Sequence, residues 1–342
     1  MTVPAGPPAA SPKYWLISDR SVNADKSGFG SDVAPLTYWV SDGGPLDQMA
    51  SWTRKSAQQF QALLVSAADA FPALVGDANG DQPHVCFFVH VYNNGWDEAV
   101  RRYQKLTDQL FAGPTGLGIC ISFDWPSFGH TWDYLPDRGH AKQCAPDLAT
   151  VLSALYDWLL KKQSAAAKDS TNACKAKVSL IAHSMGNYVL QKAMATAWTR
   201  KNQPLLVSLI NQLVMVAADI DNDVFDPGSS DTSDGNAIAN LVYRATALYS
   251  GRDDVLGASA GLKHFGARRL GRSGLATRPP VGKDNVWDAD CSSFFPASVG
   301  GGAIHSAYFD TPETVELMRQ MLKGVDRGVL AATGQLQGKA WP

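Results

Sequence analysis

The sequence predicts an α/β fold: a mostly parallel central sheet with helices on both faces. Three observations point there. Apolar, β-branched runs alternate along the chain with helix-spaced segments, the pattern of βαβ units. The run 85–89, Val-Cys-Phe-Phe-Val, is apolar without interruption, as a strand covered on both faces requires. The stretch Val178-Ser-Leu-Ile-Ala-His-Ser-Met-Gly186 passes from such a run straight into a helical pattern, the outline of a serine held on a strand-to-helix turn.

Composition bounds the class. The 342 residues are 45% hydrophobic and 18% charged, enough apolar material for a sizeable core. A formal charge of −2 offers no concentrated basic surface, so no nucleic-acid partner is expected. No apolar run approaches the length of a membrane span. Residues 1–12 are rich in Pro and Ala and lack the order of a signal peptide. Residues 1–13 read as a disordered leader, and 14–342 as a single domain. The five cysteines are scattered with no CxxC pair; Cys144 with Cys174 is the one pair to consider for a disulfide. A reducing cytoplasm suits this set, although a mature secreted form would read alike.

Taken in order, residues 14–18 and 36–40 are aromatic and β-branched runs and predict two N-terminal strands. From Leu46 to about Ala73 the spacing turns helical, and 77–83 breaks it with Asp, Asn, Gly and Pro. Strand 85–89 precedes a helix over about 96–111, with Val100, Tyr103, Leu106 and Leu110 on one face. Residues 118–123 predict a strand ending at Asp124. Residues 128–138 are aromatic and loop-like, a long helix covers about 140–162, and 163–176 is a polar linker. After Ser184 a helix runs to about Arg200. Strands follow at 213–217 and 243–249, with an acidic loop and a helix between them. The Gly- and Arg-rich stretch 266–282 (Arg268, Arg269, Arg272, Arg278) reads as an exposed, solvated loop. A short strand near Val286 and a loop through Gly300, Gly301 and Gly302 that carries His305 lead to a last helix. Thr311 is its N-cap and Pro312 its first residue; Val315, Met318, Leu322 and Val325 form its apolar face.

In such a sheet the ligand crevice lies at the carboxyl ends of the strands. That directs attention to His90, Asp124, Ser184, Asp219, Asp253 and His305. The positions two before and two after Ser184 must be small, because strand and helix backbones pass close together; Ala182 and Gly186 occupy them. Serine is a weak nucleophile and needs a general base, a task suited to histidine. His183 is discounted because successive strand residues point to opposite faces. His84, His130, His140 and His264 have no fitting position. His305 follows the serine, between the last strand and the last helix, and is the candidate base. The acid that orients it comes from Asp253, Asp254 or Asp219, all in the order serine, acid, histidine. The turn Tyr249-Ser-Gly-Arg-Asp253 favours Asp253, with Asp254 the adjacent alternative. An oxyanion needs two donors: the N–H of Met185, at the helix N-terminus, and one from Val91 or Tyr92. Asp219-x-Asp221-x-Asp223 superficially matches a calcium loop, but Val224 stands where the glycine is required. No metal and no cofactor are expected.

These segments resemble the α/β-hydrolase superfamily and, more closely, a bacterial family of α/β-hydrolases of unknown function. The resemblance is carried by Val89-His-Val-Tyr-Asn-Asn94 with Ala99-Val-Arg-Arg102, Trp125-Pro-Ser127 and Ile181-Ala-His-Ser-Met-Gly-Asn187. It continues through Ala217-Ala-Asp-Ile-Asp221, Ser250-Gly-Arg-Asp253 and Ile304-His-Ser306. It implies the α/β-hydrolase fold, with Ser184 as nucleophile, Asp253 as acid and His305 as base. The family usually has glycine where this chain has Val91, and a β-branched residue narrows that loop's conformations. The expected activity is a serine hydrolase acting on a small carboxylic ester. A lipase, thioesterase or amidase would share the constellation. A non-catalytic binding protein of this fold is the reading from another class, and retention of all three residues argues against it. His90, Trp125, Phe128, Trp132 and Tyr134 are candidates for the substrate pocket.

Overall fold

A computed structural model describes residues 11–25, 27–72, 82–90, 95–127, 134–200, 210–264 and 266–336. In chain order the elements begin with β1 (Tyr14–Val22), β2 (Phe29–Ser41), β3 (Thr53–Lys55), α1 (Ala57–Asp69), β4 (His84–Val89) and α2 (Trp96–Leu106). They continue with β5 (Gly118–Asp124), α3 (Tyr134–Ala166), β6 (Lys177–His183), α4 (Gly186–Arg200), β7 (Ile210–Val216), α5 (Thr232–Leu241) and β8 (Val242–Tyr249). The remainder is α6 (Asp254–Ala258), α7 (Leu270–Ser273), β9 (Val286–Asp290), α8 (Gly301–Ala307), α9 (Pro312–Lys323) and α10 (Arg327–Ala332).

The strands form one sheet in the order β3-β2-β1-β5-β4-β6-β7-β8-β9. Pairs from β1 to β9 are parallel, and β2 pairs antiparallel with both β1 and β3. Side-chain alternation sorts the core into two layers. From β4, Val85, Phe87 and Val89 enter the layer beneath α1, α3, α4 and α5, while Cys86 and Phe88 enter the layer beneath α2, α8, α9 and α10. Helices therefore cover both faces, and the crest formed by the ends of β1, β5, β4, β6, β7 and β8 carries His90, Asp124, Ser184, Asp219 and Asp253.

Several elements depart from the sequence reading. The helical spacing expected from Leu46 resolves into β3 and a helix beginning only at Ala57, where Ser56 and Gln59 form a capping box at 3.2 and 3.0 Å. The loop expected over 128–138 gives way to helix from Tyr134, and α3 runs on through Pro146 to Ala166. Its small buried residues Ala141, Cys144, Ala145 and Ala149 let it approach the sheet closely, and that packing outweighs the poor helix propensity of Gly139 and Pro146. On α9 the buried residues are Thr314, Leu317, Met318, Met321 and Leu322, and Gly324 at φ 84° ends the helix before Val325. Val315 is thus only half-buried. All five cysteines are free, Cys144 and Cys174 included. Residues 1–10 of the expected leader lie outside the described residues; Pro12, just beyond them, accepts a hydrogen bond from Trp15 Nε1 at 2.9 Å. Among the described residues, no helix is long and apolar enough to cross a membrane.

Candidate active site

The strand β6 ends at His183, and the chain turns so sharply that Ser184 adopts φ 52°, the left-handed region that side-chain-bearing residues rarely enter. The surroundings dictate this turn. Ser184 N–H donates to Val216 O at 2.9 Å, and Asp219 N–H donates to Ser184 O at 3.1 Å. The Asn187 amide donates to Ala182 O and Ser184 O at 3.0 and 3.1 Å. A Cβ at Gly186 would overlap the carbonyl oxygens of Val89 and His90, so only glycine lets α4 start this close to β4. The N–H of Met185, one residue before α4, has no acceptor among the described residues, as is usual for the first donors of a helix.

Ser184, His305 and Asp253 form one hydrogen-bonded line. His305 Nε2 lies 2.8 Å from Ser184 Oγ, and His305 Nδ1 lies 2.8 Å from Asp253 Oδ2. The carboxylate can only accept, so Nδ1 carries the proton and Nε2 is free to accept from the serine hydroxyl. Asp253 is fully buried, and its Oδ1 accepts from Leu256 N–H at 3.0 Å as the N-cap of α6. Arg272 donates to Asp253 O. Arg252 donates to Phe295 O at 2.7 Å and Val299 O at 3.0 Å, tying the Asp253 loop to the segment that leads into α8. The other two candidate acids have other partners. Asp254 is exposed beside Arg272. Asp219 is fully buried and accepts from Arg269 Nε at 2.7 Å and Ser259 Oγ at 2.9 Å.

Two expectations change here. His305 is not in a glycine-rich loop but on the short helix α8, because glycine at 301 leaves room against Asp254 and Arg252 O. The stretch 266–282 is only in part the solvated basic loop expected: Arg268 and Arg278 are exposed, but residues 269–271 are buried. Arg269 is fully buried and clamps Asp219 and Asp221, and Arg278 pairs with Asp288 at 2.9 Å. Burial pushes the Asp219 carboxyl up, but the Arg269 guanidinium, with His264 and Ser259, holds it below the usual carboxylate range.

The pocket candidates fare differently. His90 is fully buried, with Nε2 3.0 Å from Asp124 Oδ1. Trp125 is also fully buried; it stacks on His90 at 5.5 Å and donates from Nε1 to His90 O at 3.0 Å. Both brace the crest from within instead of presenting a solvent-facing wall, since the buried Asp124–Arg20 pair behind them draws His90 inward. Burial raises the Asp124 carboxyl, yet Arg20, 2.9 Å away, and His90 bring it below its ordinary value. Val91, Tyr92, Phe128 and Trp132 lie outside the described residues. Tyr134 opens α3, and its side chain is likewise outside them.

Sequence reasoning passed over Asn187, whose amide stitches the turn, and His183, which touches the backbone of His305. Asn187 was legible as the first polar residue after the small pair; His183 was not, because its partners are remote in the chain.

Among solved structures, two of an esterase from the archaeon Pyrobaculum calidifontis are similar to this chain. One is 10% identical, covers 71% of this chain and 76% of that one, and has a TM-score of 0.34. The other is 11% identical, covers 77% and 88%, and has a TM-score of 0.34. No curated protein matches. A family model described as alpha/beta hydrolase of unknown function (DUF900) matches residues 73–321. That span holds helices α2 to α8 and most of α9, every strand from β4 to β9, and the whole hydrogen-bonded line from Ser184 to Asp253. The chain belongs to this family of α/β-hydrolases.

Proposed function

We propose that the protein is a serine hydrolase that cleaves carboxylic esters through an acyl-enzyme. The observation that carries this reading is the buried line Ser184–His305–Asp253, with 2.8 Å at each step and the serine on a strained turn. Ser184 Oγ attacks the ester carbonyl while His305 Nε2 takes its proton. Asp253 holds the ring in the required tautomer and stabilises the imidazolium. The tetrahedral oxyanion accepts from the Met185 N–H, with the second donor assigned to Val91 or Tyr92. The intermediate collapses as His305 protonates the departing alkoxide. Water, deprotonated by His305, then releases the acid and regenerates Ser184.

Turnover of short-chain nitrophenyl esters by the wild type and by Ser184→Ala tests this. Turnover and fluorophosphonate labelling are expected in the wild type and absent in the variant. A wild type that neither turns over nor labels sinks the reading. Asp253→Asn is expected to lower kcat on the order of 10⁴-fold by forcing the wrong tautomer, and Asp254→Asn to leave it near wild type. If Asp219→Asn alone abolishes activity, the acid is misassigned.

A further inference from the structure

The residue just before Ser184 brackets the backbone of the candidate base. His183 is fully buried on the α2 and α9 face of the sheet. Its Nε2 lies 2.8 Å from His305 O. A carbonyl can only accept, so Nε2 carries the proton. Nδ1 is then the bare nitrogen, and it lies 3.2 Å from Arg102 Nη1, a group that can only donate. The two contacts select the same tautomer. Arg102 Nη1 also donates to Ser306 Oγ at 3.0 Å, so α2 grips α8 at 306 directly and at 305 through His183. The His183 ring meets Phe309 edge-on, with centroids 5.1 Å apart. Burial, with Arg102 and His305 nearby, holds His183 well below the usual imidazole range, and the neutral ring matches the tautomer the contacts require.

α8 has need of such a grip. It is seven residues long and is entered through Gly300, and so short a helix is marginal on its own. His305 must nevertheless keep Nε2 against Ser184 Oγ while a proton moves between them, and displacement of about 1 Å costs on the order of 100-fold in rate. We propose that His183 is a positioning residue for His305, holding its backbone through Nε2–H with Arg102 fixing the tautomer; this rests on the triad reading above.

His183→Phe keeps a ring of similar size and removes both hydrogen bonds. It is expected to lower kcat on the order of 30- to 100-fold with KM changed less than about twofold, and to slow fluorophosphonate labelling in parallel. His183→Gln, whose amide nitrogen can donate to His305 O, should recover most of the loss. A readout independent of turnover is the low-field proton resonance of His305 Nδ1–H bonded to Asp253. It should be sharp in the wild type and in His183→Gln, and broadened or lost in His183→Phe. Should His183→Phe fail to fold by circular dichroism, Arg102→Met, which removes the donor that fixes the His183 tautomer, carries the test, with kcat lowered about fivefold at unchanged KM. Wild-type kcat and resonance in His183→Phe, or a defect that glutamine does not restore, overturns the proposal. A wild type without turnover or labelling defeats the esterase reading alone, and the resonance still decides the role of His183.

Discussion

A serine at φ 52° sits in a conformation that costs a side-chain-bearing residue about 1 kcal/mol or more. Glycine enters that region freely. Ser184→Gly is therefore expected to be inactive yet about 1 kcal/mol more stable than Ser184→Ala, a difference read by urea unfolding of the two variants. Asp19 makes a second residue-scale prediction. Its carboxyl is fully buried beside the Cys144 thiol. Burial raises its carboxyl to about 8, with Asp124 and Asp147 adding to the rise and Cys144 and Arg20 opposing it. The folded value lies above the unfolded one, so the fold favours the protonated form. That contribution is complete below about pH 4 and is lost as pH rises through about 8. Stability should fall across this window with a slope of up to about 1.4 kcal/mol per pH unit. Asp19→Asn should flatten the slope in a series of denaturant titrations. At this scale, whatever acts between chain neighbours was legible. Ala182 and Gly186 announced the turn because steric exclusion reaches only two residues, whereas Arg102 and His183 stand 81 residues apart, and no local pattern joins them.

At the scale of elements, the strands could be read from apolar alternation, and the helices that face the sheet with one stripe followed from periodicity. The misread elements were those in which packing overrode propensity. α3 carries Gly139 and Pro146 but is pinned by Ala141, Ala145 and Ala149 against the core, a contact no helix scale contains. α8 begins with two glycines and looks like a loop until Asp254 and Arg252 are seen against Gly301. By contrast, the start of α1 rests on local chemistry. Ser56→Ala should cost about 1 kcal/mol in urea unfolding and leave ester turnover unchanged, since the cap lies at the far side of the sheet from β6.

For the molecule as a whole, charges buried near the crest act as ties between distant segments. Arg269 joins 266–273 to the end of β7 by gripping Asp219 and Asp221, and Asp219 N–H in turn holds Ser184 O. Arg269→Met leaves the fully buried Asp219 carboxylate uncompensated and should cost about 3–5 kcal/mol. Adding Asp219→Asn should restore part of that loss, because it removes the stranded charge. Urea midpoints of the single and double variants measure both effects. Reading all of 266–282 as solvated failed at Arg269 for a physical reason: arginine is mostly a surface residue, and only a buried carboxylate elsewhere in the chain reverses that expectation.

By itself the sequence determined the α/β alternation, the doubly covered strands, the sharp turn at Ser184, and the order in which a serine, an aspartate and a histidine reach the crest. These follow from interactions of short range: side-chain period, steric exclusion at a turn, and the placement of polar residues just after strands. Tertiary structure alone decided that Asp253 rather than Asp254 faces His305, that His305 rides on a helix, and that His183 grips its backbone. Those outcomes depend on where separate segments meet across the sheet, and hydrogen bonds as directional as these form only after the core has brought their partners within 3 Å.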